Sequence, residues 1–347
     1  MIFIFLRHIF VMLAAFAFSF YLVPVLAETA RKRAFLDIPD GKIKQHKKAT
    51  PYLGGLAIYL SFITILALFY PFANNDLWLI LGTTLLLFVG LIDDLNTLKP
   101  MQKFGGQILA VLCFLKGGFA LKTHFFSKIL NLASSGFWIL AVVNAFNLVD
   151  VMDGLATILA IIAAASFFVI AIILKNYILS LLLATFLGAL IGFFFHNKPP
   201  AKIYLGDAGS LFIGGFLATV PLLFPWSSII YKKVTIPSFI VGNYFFEVIL
   251  IALIPILLVG IPLLEVTSLI VIRMYHKIPF YTGSPHHFSF YLRKKGWGVR
   301  KILWFTGVKA SILSVLAIMF LFGVLPFWIL IGFLLLFSLI WFKCVFK

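Results

Sequence analysis

The stretch LATILAIIAAASFFVIAIIL at residues 155–174 decides the fold class, because it runs for its whole length without a charged side chain. A helix of about twenty such residues crosses the hydrocarbon core of a bilayer. The strands of a membrane barrel would be shorter and would alternate polar with apolar residues, which this stretch does not do. It therefore predicts a membrane-spanning helix.

Runs of the same kind fill most of the chain. We predict spans near residues 3–26, 52–72, 77–92, 104–121, 135–149, 155–174, 177–195, 209–225, 238–272, 302–322 and 325–342. Hydrophobic residue types make up 63% of the 347 residues and charged types only 11%, which is more apolar surface than a water-soluble fold of this length could bury. The sequence predicts an all-α, polytopic integral membrane protein of about eleven transmembrane helices. These helices are expected to form a single transmembrane domain over residues 1–347.

The net charge of +17 comes mostly from basic residues that flank the apolar spans. This placement is typical of loops that set membrane topology and contact anionic lipid headgroups in the bilayer, so we expect no nucleic-acid partner. The basic clusters at 28–50 and 273–301 indicate the cytoplasmic side, and they favour a retained first span over a cleaved signal peptide. The same charge distribution favours one crossing for 238–272, although Pro255, Pro262 and its length would also allow a kinked, protruding helix or two crossings.

This topology brings five carboxylates to the cytoplasmic ends of spans, in a chain that has only 11 acidic residues. They are Asp93, Asp94, Asp150, Asp153 and Asp207. Hard oxygen ligands of this kind suit magnesium that is bound to the phosphates of a substrate. Acidic side chains gathered at one membrane face therefore predict a divalent cation and a charged substrate.

Two of the acidic motifs also have a purely structural interpretation. The adjacent carboxylates Asp93 and Asp94 repel each other and suit a nearby cation, but they could equally be solvated at a helix end. In GDAGS (206–210), Asp207 or Ser210 could cap the helix that follows, whereas the exposed amides of that helix start would suit a phosphate. Neither motif decides the function alone.

The motif NAFNLVDVMDG carries a stronger signal. Its polar residues Asn144, Asn147, Asp150 and Asp153 are three positions apart, so they would lie close to one face of a continuing helix. A polar stripe that emerges from an apolar span is costly unless it lines a cavity filled by water or ligand. In the alternative interpretation Gly154 marks a helix end and the aspartates act as local caps.

The segment SPHHFSFYLRKKGWGVRK (284–301) predicts a basic surface that could bind diphosphate or lipid phosphate. A loop that only sets topology would explain its lysines but not His286 and His287. Glu247 and Glu265 lie in the long apolar segment before it, where a buried carboxylate is costly and usually functional. Their spacing assigns them no role.

Five motifs, in order along the chain, resemble those of the polyprenyl-phosphate N-acetylhexosamine-1-phosphate transferase family, also called glycosyltransferase family 4. They are ATPYLGG (49–55), GLIDDLNTLKPMQKFGGQ (90–107), NAFNLVDVMDGLA (144–156), NKPPAKIYLGDAGS (197–210) and SPHHFSFYLRKKGW (284–297). Any one of them could arise by chance, but their order and their shared side of the membrane make the resemblance specific. It covers most of the chain.

The resemblance implies a reaction. An undecaprenyl-phosphate oxygen attacks the sugar-bearing phosphorus of a UDP-N-acetylhexosamine, UMP leaves, and a lipid-diphosphate-sugar stays in the membrane. Catalysis of such a transfer is mainly positioning and charge neutralisation, with Mg²⁺, or Mn²⁺ as an alternative, as cofactor. We expect GlcNAc-1-phosphate as the transferred group, in a bacterial inner membrane, at the start of cell-surface polysaccharide synthesis. A homodimer is compatible with this expectation.

The same resemblance implies roles for individual residues. Asp207 would hold the metal, and either Asp93 or Asp94 would position or deprotonate the lipid phosphate. A phosphate monoester is already largely ionised at neutral pH, so the general-base role is the least needed. Asn147 and Asp150 would line the nucleotide-sugar site. The other implied substrate contacts are Asp153 at the uracil, Asn197 and Tyr204 near the nucleoside, and Lys47 or Lys48, Lys103, His286 and His287 at phosphates.

Two motifs depart from the family pattern. Val151 stands where a glycine is usual, and Phe290 and Tyr291 stand where a third histidine and an arginine are usual. The double-aspartate loop and the final span favour the branch that uses simple UDP-N-acetylhexosamines over the phospho-MurNAc-pentapeptide transferase branch, which is the alternative. A membrane transporter is a more distant alternative. Transporters bind charged ligands near the bilayer midplane between repeated halves, whereas the carboxylates here lie at the ends of spans and no such repeat is seen.

Overall fold

The computed structural model describes residues 2–33, 35–37, 50–123, 126–226, 229, 244–279 and 285–346. Nearly all of this part of the chain is helical, which confirms the all-α class. The exception within it is a two-stranded antiparallel pairing of β1 (Leu36–Asp37) with β2 (Thr50–Pro51).

Thirteen helices lie within the described ranges. In chain order they are α1 (Ile2–Lys32), α2 (Gly54–Phe69), α3 (Asn74–Leu95), α4 (Pro100–Lys116), α5 (Lys128–Val149), α6 (Leu155–Ile173), α7 (Tyr177–Asn197), α8 (Gly206–Thr219), α9 (Tyr244–Leu258), α10 (Gly260–Tyr275), α11 (Phe288–Lys294), α12 (Val299–Leu321) and α13 (Phe327–Phe346). A 3₁₀ turn, Val220–Leu223, extends α8.

Seven of the described helices are long and apolar enough to cross a membrane. They are α1, α3, α5, α6, α7, α12, and α8 taken with its 3₁₀ turn. The pair α9 and α10 would form an eighth span, and α2 and α13 are shorter apolar helices. The polytopic membrane fold is thus confirmed, while the count of about eleven crossings stays a prediction.

The segment predicted as one crossing over 238–272 is broken in its described part, where α9 and α10 meet at an angle of 89°. Val259, between the two helices, has φ −111° and ψ 27°. Pro262 has no N–H to donate to the carbonyl of Leu258, so the helical hydrogen bonding cannot continue across this point. Pro255 lies within α9 and does not end it. This break, called here the elbow, is buried within the protein.

The first span packs along α7 at backbone distance. A Cβ added to Gly188 would lie 2.1 Å from the carbonyl oxygen of Met12, and one added to Gly192 would lie 2.4 Å from that of Phe16. Both steps along the chains are of four residues, so α1 and α7 run in the same direction. Small residues one turn apart allow two membrane helices to approach this closely, where dispersion contacts drive their association.

A second close approach joins α2, α3 and α8. A Cβ on Gly55 would lie 2.1 Å from the amide nitrogen of Gly209, and one on Gly90 would lie 2.3 Å from that of Ala208. The last turn of α3 is therefore pressed against the first turn of α8. This contact brings the ends of spans that are far apart in sequence to one place.

Replacing Gly188 with alanine is expected to destabilise the protein by about 1–3 kcal/mol, because the added methyl group would meet the backbone of α1. The matched control is Gly332→Ala on α13, where an added Cβ has no heavy atom within 4 Å. The control should keep or slightly raise the melting temperature of the purified protein in detergent, since alanine favours a helix. Equal melting temperatures for the two variants would contradict the close α1–α7 contact.

Candidate active site

Lys103, in the first turn of α4, lies at the centre of a polar cluster. Its Nζ atom is 2.9 Å from Oδ2 of Asp93, 2.5 Å from Oδ2 of Asp207 and 3.1 Å from Oδ1 of Asn147. One ammonium group therefore joins residues from the end of α3, the end of α5 and the start of α8. The lysine side chain is 18% exposed, so these contacts are only partly screened by water.

Asp94 has a different role from its neighbour. Its Oδ1 accepts a hydrogen bond from the backbone amide of Asp207 at 2.8 Å, and its Oδ2 accepts one from the amide of Ala208 at 3.1 Å. The carboxylate thus caps the N-terminus of α8 from another helix, where backbone amides lack helical partners and favour a negative charge. Gly206, with φ +73°, makes room, since a Cβ there would lie 2.6 Å from Oδ2 of Asp94.

Asp93 instead faces the cluster. Its Oδ2 pairs with Lys103, while its Oδ1 accepts a hydrogen bond from the amide of Leu98 at 2.7 Å. That bond closes the turn between α3 and α4, which fixes the direction of the carboxylate. The adjacent aspartates are therefore divided between holding α8 in place and lining the site.

The amide side chains of α5 complete the cluster. Asn147 donates to Oδ1 of Asp207 at 2.8 Å and to Oγ of Ser210 at 3.0 Å. One turn earlier, Asn144 and Gln107 form a reciprocal pair in which each amide donates to the other, at 2.8 and 3.3 Å. The capping role considered for Asp207 is not observed, because its carboxylate oxygens contact Lys103 and Asn147.

The four polar residues do not share one continuing helix, and the predicted span 135–149 ends where the helix ends. α5 ends at Val149, so Asn144 and Asn147 lie on the helix, whereas Asp150 and Asp153 lie in the turn that follows. Gly154 adopts φ +72° at the start of α6, a left-handed conformation that glycine tolerates without strain and that stops the helix from continuing.

Asp150 still belongs to the same acidic region. Burial raises the pKa of its carboxyl well above the usual range, and the negative charges of Asp207, Asp94 and Asp153 raise that pKa further. The cause is physical: several carboxylates share a poorly solvated space and disfavour one another's ionised form. A bound cation would relieve this repulsion.

The residues expected at the nucleoside hold a loop together. Asp153 accepts a hydrogen bond from the amide of Ala201 at 2.9 Å. Asn197 is buried, accepts from Thr157 at 2.8 Å and donates to the carbonyl of Ile203 at 3.0 Å. These contacts order the loop over residues 198–205.

Tyr204 ends that loop beside β2 and α2. Its amide donates to the carbonyl of Pro51 at 2.9 Å, and its carbonyl accepts from the amide of Gly54 at 3.1 Å. The segment ATPYLGG (49–55) is therefore joined by backbone hydrogen bonds to the residues just before GDAGS (206–210). The loop that bears the predicted nucleoside contacts thus lies next to the acidic region.

The two histidines lie before α11 and contact α10. His287 is 6% exposed, and its Nδ1 is 2.8 Å from Oε1 of Glu265. His286 stacks on His276 with ring centroids 5.3 Å apart, and burial, followed by the charge of His276, lowers the pKa of His286. α10 in turn packs against α5. The contacts described for these histidines are with α10 and with their own loop.

Other expectations have mixed outcomes. Lys47 and Lys48 lie outside the described residues, so their predicted phosphate contacts stay predictions. Gln107 was not singled out from the sequence, although it is a polar residue one turn after Lys103 in an otherwise apolar helix. Glu265 was noted without a role, because its partner, His287, is 22 residues away, beyond the end of α10.

The donor set of the cluster fits a magnesium ion. Asp93, Asp207 and Asn147 offer hard oxygen atoms, which Mg²⁺ prefers. Among the described residues, no three acidic, histidine or cysteine side chains converge as a ready-made metal cage. Magnesium commonly binds through one or two carboxylates while water and substrate phosphates complete its shell, so this open arrangement suits it.

Comparisons with known proteins show which sequences this chain resembles. The family model described as Glycosyl transferase family 4 matches residues 76–224, which include both the double aspartate and Asp207. The Bacillus subtilis (strain 168) protein named "Probable undecaprenyl-phosphate N-acetylglucosaminyl 1-phosphate transferase" is 28% identical over 77% of this chain and 72% of its own length.

Relatives that carry a different name have a higher sequence identity to this chain, but over a smaller share of it. Phospho-N-acetylmuramoyl-pentapeptide-transferase of Staphylococcus carnosus (strain TM300) is 32% identical over 60% of this chain and 74% of that protein. Its namesake of Streptococcus pneumoniae (strain CGSP14) is 34% identical over 52% of this chain, and the match spans 62% of that protein, which is less than two thirds. With these matches and a membrane-spanning helical fold, the chain belongs to glycosyl transferase family 4 and is a multi-pass membrane enzyme.

Proposed function

We propose that the protein transfers GlcNAc-1-phosphate from UDP-GlcNAc to undecaprenyl phosphate. A phosphate oxygen of the lipid forms a bond to the sugar-bearing phosphorus, the bond from that phosphorus to the bridging oxygen breaks, and UMP leaves with the bond's electron pair. The observation that carries the proposal is the joining of Lys103, Asp93, Asp207 and Asn147 at one end of the helix bundle. Such a site can orient and neutralise two phosphate-bearing substrates.

Magnesium, when bound, would supply positive charge to the phosphate oxygens and polarise the reacting phosphorus. Asp207 and Asp93 are the residues proposed to hold it, because both carboxylates face one point, where the Nζ atom of Lys103 is the cation in this structure. Asn147 keeps Asp207 oriented through the 2.8 Å bond to its Oδ1. The arrangement offers charge and direction and needs no covalent intermediate on the protein.

The geometry favours Asp93 over Asp94 as the residue that acts on the lipid phosphate. Both oxygens of Asp94 accept backbone amides of α8, so this carboxylate is committed to positioning. Asp93 lies beside Lys103, whose ammonium group can follow a phosphate oxygen as charge moves during the transfer. Lys103 is therefore proposed as a phosphate ligand.

The remaining substrate contacts are proposed from the family pattern and from their neighbourhood. Asp150 belongs with the nucleotide-sugar side of the acidic region, and Asp153, Asn197 and Tyr204 shape the loop proposed to receive the uridine. Lys47 or Lys48, together with the histidine loop, would contact phosphates. A homodimer stays a prediction.

The choice of a simple N-acetylhexosamine rests on the breadth of similarity. The Bacillus subtilis relative named for GlcNAc matches 77% of this chain, whereas the two relatives named for the muramoyl pentapeptide match 52% and 60% of it. The second candidate is therefore transfer of phospho-MurNAc-pentapeptide. In either case the proposed location is the inner membrane of a bacterium, with the site facing the cytoplasm, and the proposed pathway is the assembly of cell-surface polymers.

Purified protein in detergent is expected to release UMP when it is given undecaprenyl phosphate, Mg²⁺ and UDP-GlcNAc. UDP-GalNAc and UDP-MurNAc-pentapeptide should be tested in parallel at equal concentration. EDTA should abolish the release, and excess Mg²⁺ or Mn²⁺ should restore it. Release with the pentapeptide donor alone would move the assignment to the second candidate. No release with any donor from well-folded protein would reject both.

When each aspartate is changed to asparagine, two of the variants are expected to lose activity and the third to lose stability. Asp93→Asn and Asp207→Asn should reduce kcat by about 100-fold or more with little change in melting temperature, as expected for groups that stabilise developing charge. Asp94→Asn should lower the free energy of unfolding by about 0.5–2 kcal/mol, because it weakens a helix cap.

The matched control for the cap is Asp76→Asn, at the other end of α3. Asp76 accepts a hydrogen bond from the amide of Ala73 at 2.8 Å, so it too is a capping carboxylate, but it is remote from the cluster. It should lose stability without losing kcat per folded molecule. A fully active Asp93→Asn variant would overturn the division of roles between the adjacent aspartates.

Lys103→Met is expected to reduce kcat/KM by about 100-fold, since it removes the ammonium group that joins the carboxylates. The control is Lys99→Met, one turn earlier on the same stretch, where the side chain is exposed. Steady-state rates should be measured as a function of both substrates. If the two variants were equally active, Lys103 would have no part in the transfer.

A further inference from the structure

Glu265 is a carboxylate buried inside the protein, in the apolar segment that precedes the histidines. It lies on α10 and is 2% exposed. A carboxylate in such a position is costly unless a partner compensates it, and carboxylates that persist in apolar spans usually serve function. The proposed reaction described above does not use Glu265, so its presence needs a separate explanation.

Both oxygens of Glu265 are engaged by the histidine loop. Oε1 is 2.8 Å from Nδ1 of His287, and Oε2 accepts a hydrogen bond from the amide of Phe288 at 3.4 Å. Since a carboxylate oxygen accepts, Nδ1 of His287 carries the hydrogen atom. The other ring nitrogen, Nε2, is then the one left for a ligand, and it donates to a phosphate oxygen when it too carries a hydrogen atom.

The ring of His287 is also held by packing. Phe290 lies edge-on to it, with centroids 5.7 Å apart and planes at 89°, and the amide of Phe290 donates to the carbonyl of His287 at 3.0 Å. Phe290 stands where the family pattern usually has another histidine. The packing by Phe290 and the pairing with Glu265 together restrict the plane and the direction of this ring.

Other charged groups lie around this pair. Arg273 is buried on the same helix as Glu265. His286 experiences the charges of Arg273, His276, Lys294 and His287. The region is therefore strongly basic, and Glu265 is the acidic residue that contacts it among those the structure describes. A basic pocket with an oriented imidazole matches the chemistry of a phosphate or diphosphate group.

We propose that Glu265 is a positioning residue that orients His287 so that Nε2 meets a phosphate oxygen of the substrates. The inference rests on the proposed function, because it needs a phosphate-bearing substrate at the histidine loop. Carboxylates that orient a metal-binding histidine usually matter by ten- to a hundredfold in the affinity or activity of the site, and an effect of similar size is expected for this phosphate-facing histidine.

The test compares substitutions that imitate one ring nitrogen at a time. His287→Asn places an amide nitrogen near the position of Nδ1, so it can keep the contact with Glu265 while losing the donor to phosphate. His287→Gln places an amide nitrogen near the position of Nε2 and loses the contact with Glu265. Glu265→Gln removes the charge and keeps the shape.

If Glu265 positions His287, the two His287 variants should rank in opposite orders for kcat/KM and for melting temperature. His287→Asn should keep the melting temperature in detergent and lose kcat/KM, whereas His287→Gln should melt lower and keep more kcat/KM per folded molecule. Glu265→Gln should lose about 10- to 100-fold in kcat/KM. Added to His287→Asn, the same change should cost nothing further in kcat/KM, because residues that act as a unit are not additive.

The control is Glu28→Gln on α1, which removes an exposed carboxylate paired with Lys32. A purely structural role for Glu265 would make kcat/KM follow melting temperature across all variants, and that result would overturn the inference. So would Glu265→Gln with the same kcat/KM as the control. If the unmodified protein released no UMP with any donor, the proposed function would fail first and this inference with it.

Discussion

The structure depends on a carboxylate of one membrane helix capping the start of another. Asp94 accepts the first free amides of α8, and the contact is close because glycines on α2, α3 and α8 remove the side chains that would separate them. Without this cap, the amides would be left without partners in a poorly solvated region, where each unpaired group costs several kcal/mol. Asp207 is carried into the site by the helix that Asp94 anchors.

Because α8 is anchored in this way, the site holds more negative than positive side chains. The described part of the structure holds three carboxylates near one another, those of Asp93, Asp207 and Asp150. Lys103 supplies the ammonium group among them. The helices hold these carboxylates close together, so a cation among them lowers their mutual repulsion. In the proposed reaction, positive charge would enter the site together with the anionic substrates.

Much of this could be predicted from the sequence. Uncharged runs such as 155–174 identified the spans, and alternating crossings predicted that the motifs of 93–94, 144–153 and 207 would meet. The sequence could not assign different roles to Asp93 and Asp94, because adjacent identical residues differ only in the groups on other helices that they contact. The predicted span 135–149 ends where α5 ends, but the spacing of Asn144, Asn147, Asp150 and Asp153 could not show that the two aspartates lie beyond it. A period of three continues through a turn as readily as through a helix. Long-range pairs such as Glu265 with His287 leave no local pattern.

The elbow between α9 and α10 has a consequence for how the enzyme responds to its lipid environment. A straight span adapts to a thicker or thinner bilayer by tilting, and the tilt reaches both of its ends. Here the break at Val259 is buried against protein, so the direction of α10 is set by packing on α5 and α12 and not by the depth of the hydrocarbon layer. The direction of α10, which bears Glu265, is thereby expected to change little with bilayer thickness, so the contact between Glu265 and His287 should persist in membranes of different composition.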